Sequence, residues 1–240
     1  MNSFEFKPPG HKIVNNGDSA YSIIFEETAS QQLTKQILSI RSLLEKQLES
    51  IIIETIPSYQ SLTLLFNPIK SPRKKLLDKI KLLLSSSISY TNVESKLIEI
   101  PVCYEDQFAP DMQRLTDHCQ LSCQEIIERH TKPVYWVAML GFLPGFVYLS
   151  GLDKALHCPR KSNPSLLVSP GSIAIGNQQT GIYSLSSPGG WNVIGRTPTK
   201  LLTLEAEQPI ALNPLDEIKF TAISERAFLQ LQNSSEVSTR

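Results

Sequence analysis

Apolar positions recur along this chain with two different periods. Leu33, Ile37, Ile40, Leu44 and Leu48 fall three or four residues apart, on one face of an amphipathic helix. Leu76, Leu77, Ile80, Leu83 and Leu84 do the same over a second helix. Its start is predicted at Ser71-Pro72, with Ser71 as cap and Pro72 in the first helical position. Short β-type runs lie around these helices: residues 11–14 and 21–25 flank an Asn-Asn-Gly-Asp turn signal, and 51–56 and 62–66 are closed by Pro57 and by Asn67-Pro68. Two helices over about four strands predict an α+β sandwich of ferredoxin-like kind over residues 1–95. The serines at 85–87 and the polar stretch 90–96 mark its end.

From residue 96 short strands take over. Residues 97–104 read as a strand, and Pro101 within it predicts an edge strand. Asp111 is placed to cap a helix running through Cys119. Ser122-Cys123-Gln124-Glu125 matches a capping box for a second helix. That helix stops before Pro133 and leaves His130 in its last turn, where the helix dipole favours a cation. Residues 134–140 form an apolar strand that runs into Gly141-Phe142-Leu143-Pro144-Gly145. Further runs at 147–149, 172–175, 181–185 and 192–195 are separated by glycine and proline, and 200–205 and 217–222 read as closing strands. The tail from Gln230 is expected to fray. Short strands joined by backbone-specified loops predict a barrel or sandwich over residues 96–240.

Charge and composition narrow the partners. Lysine plus arginine and aspartate plus glutamate number 23 each, so the net charge is zero. No broad basic field exists to hold a phosphate backbone, which argues against nucleic acid. The longest apolar stretch, 134–149, is shorter than the ~20 residues a membrane helix needs and is broken by Gly141, Pro144 and Gly145. The first residues, MNSFEFKPPGHK, lack a basic segment followed by an apolar run, so a cytoplasmic location is expected. Cys103, Cys119, Cys123 and Cys158 should then be free thiols. His118, Cys119 and Cys123 fit no standard zinc spacing, so no metal is expected.

No phosphate loop, His-Glu-x-x-His helix or Gly-x-Ser-x-Gly elbow occurs. Ser186 and Ser187 precede Pro188-Gly189-Gly190 without that elbow's first glycine and read as turn residues. Cys158 beside His157 is a poor catalytic pair, because adjacent strand residues point to opposite faces. Two arginines are set among rigid loops: Arg160 after Pro159, and Arg196 before Thr197-Pro198. Their planar forks suit carboxylates or phosphates. Aromatic residues stand beside them in loops of limited freedom. The candidate binding surface is Phe142, Pro144, Gly145, Phe146 and Tyr148, with Gly189, Gly190, Trp191 and Arg196 expected on the same face. Gln179, Thr180 and Tyr183 are polar groups at neighbouring loop–strand junctions. His130 and Arg160 are weak catalytic candidates, and the chain offers no self-contained catalytic set.

The segments GFLPGFVYLSGL, CPRKSNP, SPGSIAIG, QTGIY and SPGGWNVIGRTP, with NNGDSA and IPVCYEDQFAPDM upstream, resemble the family called allophanate hydrolase subunit 1, whose other name is the B-type subunit of 5-oxoprolinase. The family includes the Bacillus-type inhibitor of a sporulation histidine kinase. The resemblance implies a cyclophilin-like β barrel for the second part. It implies one component of an ATP-dependent 5-oxoprolinase that converts 5-oxo-L-proline to L-glutamate, with ATP bound somewhere in the complex. The partners implied are a homologous second subunit (allophanate hydrolase subunit 2, or the C-type subunit of 5-oxoprolinase) and the A-type subunit of the same enzyme. Inhibition of a sensor kinase, or work on allophanate or urea-derived substrates, are the alternatives. Two positions depart from the family pattern. Ser165 stands where an arginine is usual, removing one anion contact. Pro214-Leu215-Asp216 replaces Pro-Gly-Asp and predicts a different turn, because leucine at positive φ costs stability.

Overall fold

A computed structural model describes residues 4–91, 93–206 and 208–237. The chain divides into two compact units, 1–94 and 95–240. The first contains β1 (Glu5–Phe6), β2 (His11–Asn15), β3 (Ala20–Phe25), α1 (Gln31–Gln47), β4 (Ile52–Pro57), β5 (Ser61–Phe66), α2 (Arg73–Leu84) and β6 (Ile88–Ser89). Its antiparallel sheet has the order β2-β3-β5-β4, while β6 pairs with β1 in a separate ladder. The helical face anticipated for α1 is the buried one: Leu33, Ile37, Ile40 and Leu44 are all 1 % exposed or less and pack with Leu62, Leu64 and Phe66 of β5. Ser30 caps α1 by accepting from the Leu33 N–H. At α2 the expected cap is displaced. Pro72 itself is the N-cap, no side chain caps the helix, and Ser71 is buried. Proline has no N–H to satisfy there, so the register moves one residue on.

The second unit contains β7 (Leu97–Cys103), α3 (Met112–Cys119), α4 (Cys123–Thr131), β8 (Tyr135–Leu140), β9 (Val147–Ser150), a 3₁₀ turn (Lys154–Leu156), β10 (Ser165–Val168), β11 (Ser172–Gly176), β12 (Gln179–Ile182), β13 (Ser187–Gly189), β14 (Asn192–Arg196), β15 (Glu217–Ile223) and α5 (Glu225–Val237). Seven strands close into a barrel in the order β11-β12-β9-β8-β15-β7-β14, and β10 pairs with β13 outside it. Inward residues such as Val102, Val137, Leu149, Ile173, Ile194 and Phe220 fill the interior. The capping box at Ser122 and Glu125 is complete.

Several local expectations fail in this unit. β7 is not an edge strand, since it lies between β15 and β14. Pro101 is tolerated because β14 meets β7 only at Arg196 and Cys103, leaving the proline in a part bonded along one side. Residues 200–205 are no barrel strand: Leu202 makes one bridge to Ile210, and Ala211 N–H bonds Leu201. The tail beyond Gln230 is helical to Val237, anchored at its start by Phe228 against Cys103 and Phe108; residues 238–240 lie outside the described residues. Asp111 stands at the N-cap of α3 without a side-chain cap bond. Finally, Leu215 keeps a positive φ of 76°. Its strain, of order 1–2 kcal/mol, is offset by burial of the side chain and by Asp216. That carboxylate accepts from the N–H groups of Asn213 and Lys96, while Leu215 N–H bonds Val137.

His130, expected as a cation at a helix end and a weak catalytic candidate, is instead fully enclosed. Thr180 Oγ1 donates to Ala174 O at 3.1 Å, so it accepts from His130 Nε2–H at 3.0 Å. Nδ1 is then free to accept from the Tyr104 hydroxyl at 2.7 Å. Burial holds the imidazole neutral, with its pKa pushed down to about 3. Every polar atom of the ring is used, and no substrate reaches it.

Two outcomes are expected. Residues 95–240 expressed alone should melt cooperatively; a non-cooperative transition would mean that the barrel needs the first unit. The unfolded chain protonates His130 near pH 6.5, whereas the folded chain resists to about pH 3. This contribution is therefore complete above pH 6.5 and is lost as pH falls toward 3, approaching about 1.4 kcal/mol per pH unit. Denaturant melts between pH 7 and 4 should show a shallower slope in His130→Gln than in wild type. Equal slopes would refute a neutral buried imidazole.

Candidate functional site

The site is built on a loop that the barrel holds from three sides. Cys158 and Asn177 form a reciprocal backbone bridge. Asn192, at the start of β14 and wholly buried, donates through its amide to Pro159 O and Ile175 O and accepts from Arg114. Lys161 N–H bonds Gly190 O, and its ammonium meets Asp111 at 2.7 Å and Ser165 Oγ at 2.7 Å. The Asp111–Lys161 pair is nearly out of solvent, and Asp111 also accepts from the Val193 N–H. Asp111 thus ties the start of α3 to the loop instead of capping the helix. Arg160, between two residues fixed in this way, is exposed.

Beneath Arg160 lies an aromatic floor. Trp191 packs flat on the β11–β12 hairpin because Gly176 and Gly181 carry no side chain: a Cβ on Gly176 would stand 2.6 Å from the indole ring, and one on Gly181 3.1 Å from it. Phe146 meets the indole edge-on at 5.6 Å, and Tyr148 meets it at 5.7 Å. Tyr183 crosses Phe146 at 4.9 Å, and its hydroxyl is bonded to the Trp191 backbone in space that a Cβ on Gly189 would take. The Arg160 guanidinium stands over the indole, 5.7 Å from its centroid. The resulting cleft, about 320 Å³, is lined by Phe142, Phe146, Tyr148, Arg160, Tyr183 and Trp191, with Gly189 and Gly190 in its wall.

Most of the anticipated surface is therefore brought together, with corrections. Trp191 is 5 % exposed and Phe146 1 %; they are the floor of the cleft and not an exposed anchor. Phe142 is the exposed aromatic, at 63 %, held at φ 66° on the rim. Pro144 accepts from Ser184 Oγ, and Gly145, at φ 74°, sits close against Ser184 and Leu202; both shape the loop behind the cleft. Gln179 pairs with Gly176 at the hairpin end, and Thr180 belongs to the His130 network inside the barrel. Arg196 does not converge with Trp191. It lines a second cleft, which shares only Tyr183 with the first.

Burial raises the pKa values of Tyr148 and Tyr183, with Arg160 pulling weakly the other way. Both remain neutral hydrogen-bonding phenols. Arg160 has no carboxylate within ion-pair distance among the described residues. The arrangement can hold a small anion by its charge and a flat body by the aromatic walls. It supplies no activated nucleophile: burial raises the Cys158 thiol, and the buried Ser187 hydroxyl has no hydrogen-bond partner. All four cysteines are free. No cluster of metal ligands and no helix able to span a membrane occurs among the described residues. Sequence reasoning missed Asn192, Asp111 and Lys161 as positioning residues. Asn192 adjoins the Gly-Gly-Trp run, but nothing local links Asp111 to Lys161.

Residues 11–212 match the family model for the carboxyltransferase domain, subdomain C and D. The 5-oxoprolinase B subunit of Bacillus subtilis is 36 % identical over 228 residues, 91 % of this chain and 95 % of the relative. That of Escherichia coli O157:H7 is 39 % identical over 171 residues, 70 % of this chain and 77 % of the relative. The crystal structure of TTHA0988 superposes with a TM-score of 0.73 at 30 % identity, covering 85 % of this chain but only 40 % of that longer one. The Kluyveromyces lactis urea amidolyase shares the fold at a TM-score of 0.81 and 19 % identity, over 98 % of this chain and 16 % of that one.

Trp191→Ala should cost about 3–5 kcal/mol, and Gly176→Ala about 1–3 kcal/mol through overpacking against the indole. Arg160→Ala, on the surface, should stay within about 0.5 kcal/mol of wild type. Urea titrations of the three variants check this ranking. A wild-type midpoint for Trp191→Ala would mean that the indole is not the floor described.

Proposed function

The chain belongs to the carboxyltransferase subdomain C and D family, and from that premise we propose that it is the B-type subunit of an ATP-dependent 5-oxoprolinase, which opens 5-oxo-L-proline to L-glutamate. One observation carries the reading: the Bacillus subtilis 5-oxoprolinase B subunit matches this chain through both units, over 95 % of its own length. In keeping with it, we read the barrel as the cyclophilin-like one and the first unit as a relative of the ferredoxin-like sandwich.

The cleft suits such a substrate. 5-Oxoproline is a flat five-membered lactam with one carboxylate. Arg160 would take the carboxylate through its fork, and the Trp191–Tyr148 walls would cover the ring. The loop anchors at Pro159 and Lys161 hold the arginine ready, which lowers the ordering cost of binding. The family resemblance implies a second arginine at position 165; here Ser165 is bonded to Lys161, so in this reading Arg160 carries the anion alone.

The chain brings positioning groups and no nucleophile–base pair at this cleft. A homologous second subunit, of the C type, is expected to complete the site, with the A-type subunit of 5-oxoprolinase as the third component. ATP acts in the complex. The residues here do not suit a triphosphate, since Lys161 is taken by Asp111 and leaves one free arginine at the cleft; no step through ATP is assigned to this chain. Cytoplasmic placement is part of the same reading.

Co-expression with the two partner subunits should yield a complex that releases glutamate only with 5-oxoproline and ATP. Within it, Arg160→Lys keeps the charge but loses the fork. It should raise KM about tenfold, the worth of one charge-assisted hydrogen bond, and leave assembly intact. No glutamate release from an assembled wild-type complex would refute the reading. An unchanged KM in Arg160→Lys would remove the arginine from substrate binding.

A further inference from the structure

The second cleft has no role in the function above. It lies beside the chain reversal after β14 and is about 250 Å³ in volume. Its charged wall is Arg196, and Lys200 stands exposed at the rim. Leu201, Leu202 and Phe228 give it an apolar side, and Ser184, Thr197, Thr199 and Gln232 a polar one.

Arg196 is built into place. Gly171 takes a φ of 80°, and a Cβ there would stand 2.3 Å from Thr197 O. Only glycine lets the turn approach so closely, and Thr197 N–H then bonds Gly171 O. The turn presents Pro170 O to Arg196 Nε at 2.9 Å. The guanidinium face stands over the Phe228 ring, 5.9 Å from its centroid. Nε is thereby used, while the two terminal amino groups have no hydrogen-bond or ion-pair partner among the described residues.

A half-buried cation without a counter-charge is costly, and burial already pushes its pKa down. A structural arginine would spend its fork on carbonyls or a carboxylate. This one spends a single N–H and keeps four for something else. Inorganic phosphate, strongly hydrated, gains little from the leucine and phenylalanine side of the cleft, whereas a carboxylate on a short hydrocarbon body uses the cation, the polar side and the apolar side together. The second cation, at the rim, matches a second carboxylate.

We propose that this cleft is a binding site for a short dicarboxylate, held by the Arg196 fork with Lys200 on its far end, separate from the Arg160 cleft. The proposal does not depend on the activity assigned above, because binding to the full-length chain alone reads it out.

The test is calorimetric titration of the full-length chain with glutarate and, separately, with inorganic phosphate, alongside thermal melts of every variant. Glutarate should bind wild type more tightly than phosphate does. Arg196→Gln should weaken glutarate binding about tenfold, and Lys200→Gln, at an exposed position, by several-fold, each consistent with the loss of one charged contact. Arg160→Gln should leave glutarate affinity unchanged. Lys200→Gln keeps the test decisive if Arg196→Gln melts early. The proposal is overturned if wild type does not bind glutarate, or if phosphate binds as tightly. It is equally overturned if neither Arg196→Gln nor Lys200→Gln weakens binding, or if Arg160→Gln abolishes it.

Discussion

The aromatic cleft of the barrel depends on one packing constraint: an indole lying flat on a hairpin that has no side chains beneath it. Gly176 and Gly181 leave a bare strip of backbone, and Trp191 fills it. Removing a tryptophan from such a place leaves a hole that a closed barrel can only partly relax. Adding a methyl beneath it forces the ring off its floor. Phe146, Tyr148 and Arg160 take their positions from that ring. Gly176 and Gly181 thus act as packing residues, and Trp191, expected on a binding surface, is the buried floor of the cleft.

Polar chemistry in the second unit is sorted by burial. Inside the barrel, Tyr104, His130 and Thr180 form a closed chain of hydrogen bonds. In a low-dielectric interior such a chain fixes geometry when every member is satisfied, and it removes the one histidine that sequence offered for proton transfer. At the surface, the opposite arrangement holds. Lys161 is paired with Asp111, and the buried Asn192 with Arg114 and two backbone carbonyls, while the exposed Arg160 has no ion-pair partner among the described residues. Rigid surroundings and an unsatisfied charge are the conditions under which a binding group gains most from its ligand. No nucleophile–base pair stands at the cleft among the described residues, in keeping with the proposal of a catalytic site shared between different chains.

Local rules also gave way where the fold over-determined them. Leu215 holds a left-handed turn where the family resemblance implied glycine, because Asp216 binds two backbone N–H groups and the leucine side chain is buried. Pro101 sits inside a closed barrel because its strand is bonded along one side at that point. The tail, polar enough to read as frayed, is helical because Phe228 docks near its start.

The sequence by itself determined the elements whose information is local. The faces of α1 and α2, the capping box at Ser122, the first hairpin and most short strands of the second unit follow from period and turn chemistry, which act within a few residues. The family was legible in the Pro-Gly-Gly-Trp and Gly-Arg-Thr-Pro blocks for the same reason. Tertiary structure alone decided what lies between distant segments: the closure that puts β7 beside both β14 and β15, the pairing of Asp111 with Lys161, the burial of His130, and the separation of Arg196 from Trp191 into two clefts. Each depends on contacts between residues tens of positions apart. No local pattern carries such contacts, because burial and charge compensation arise only when the whole barrel closes.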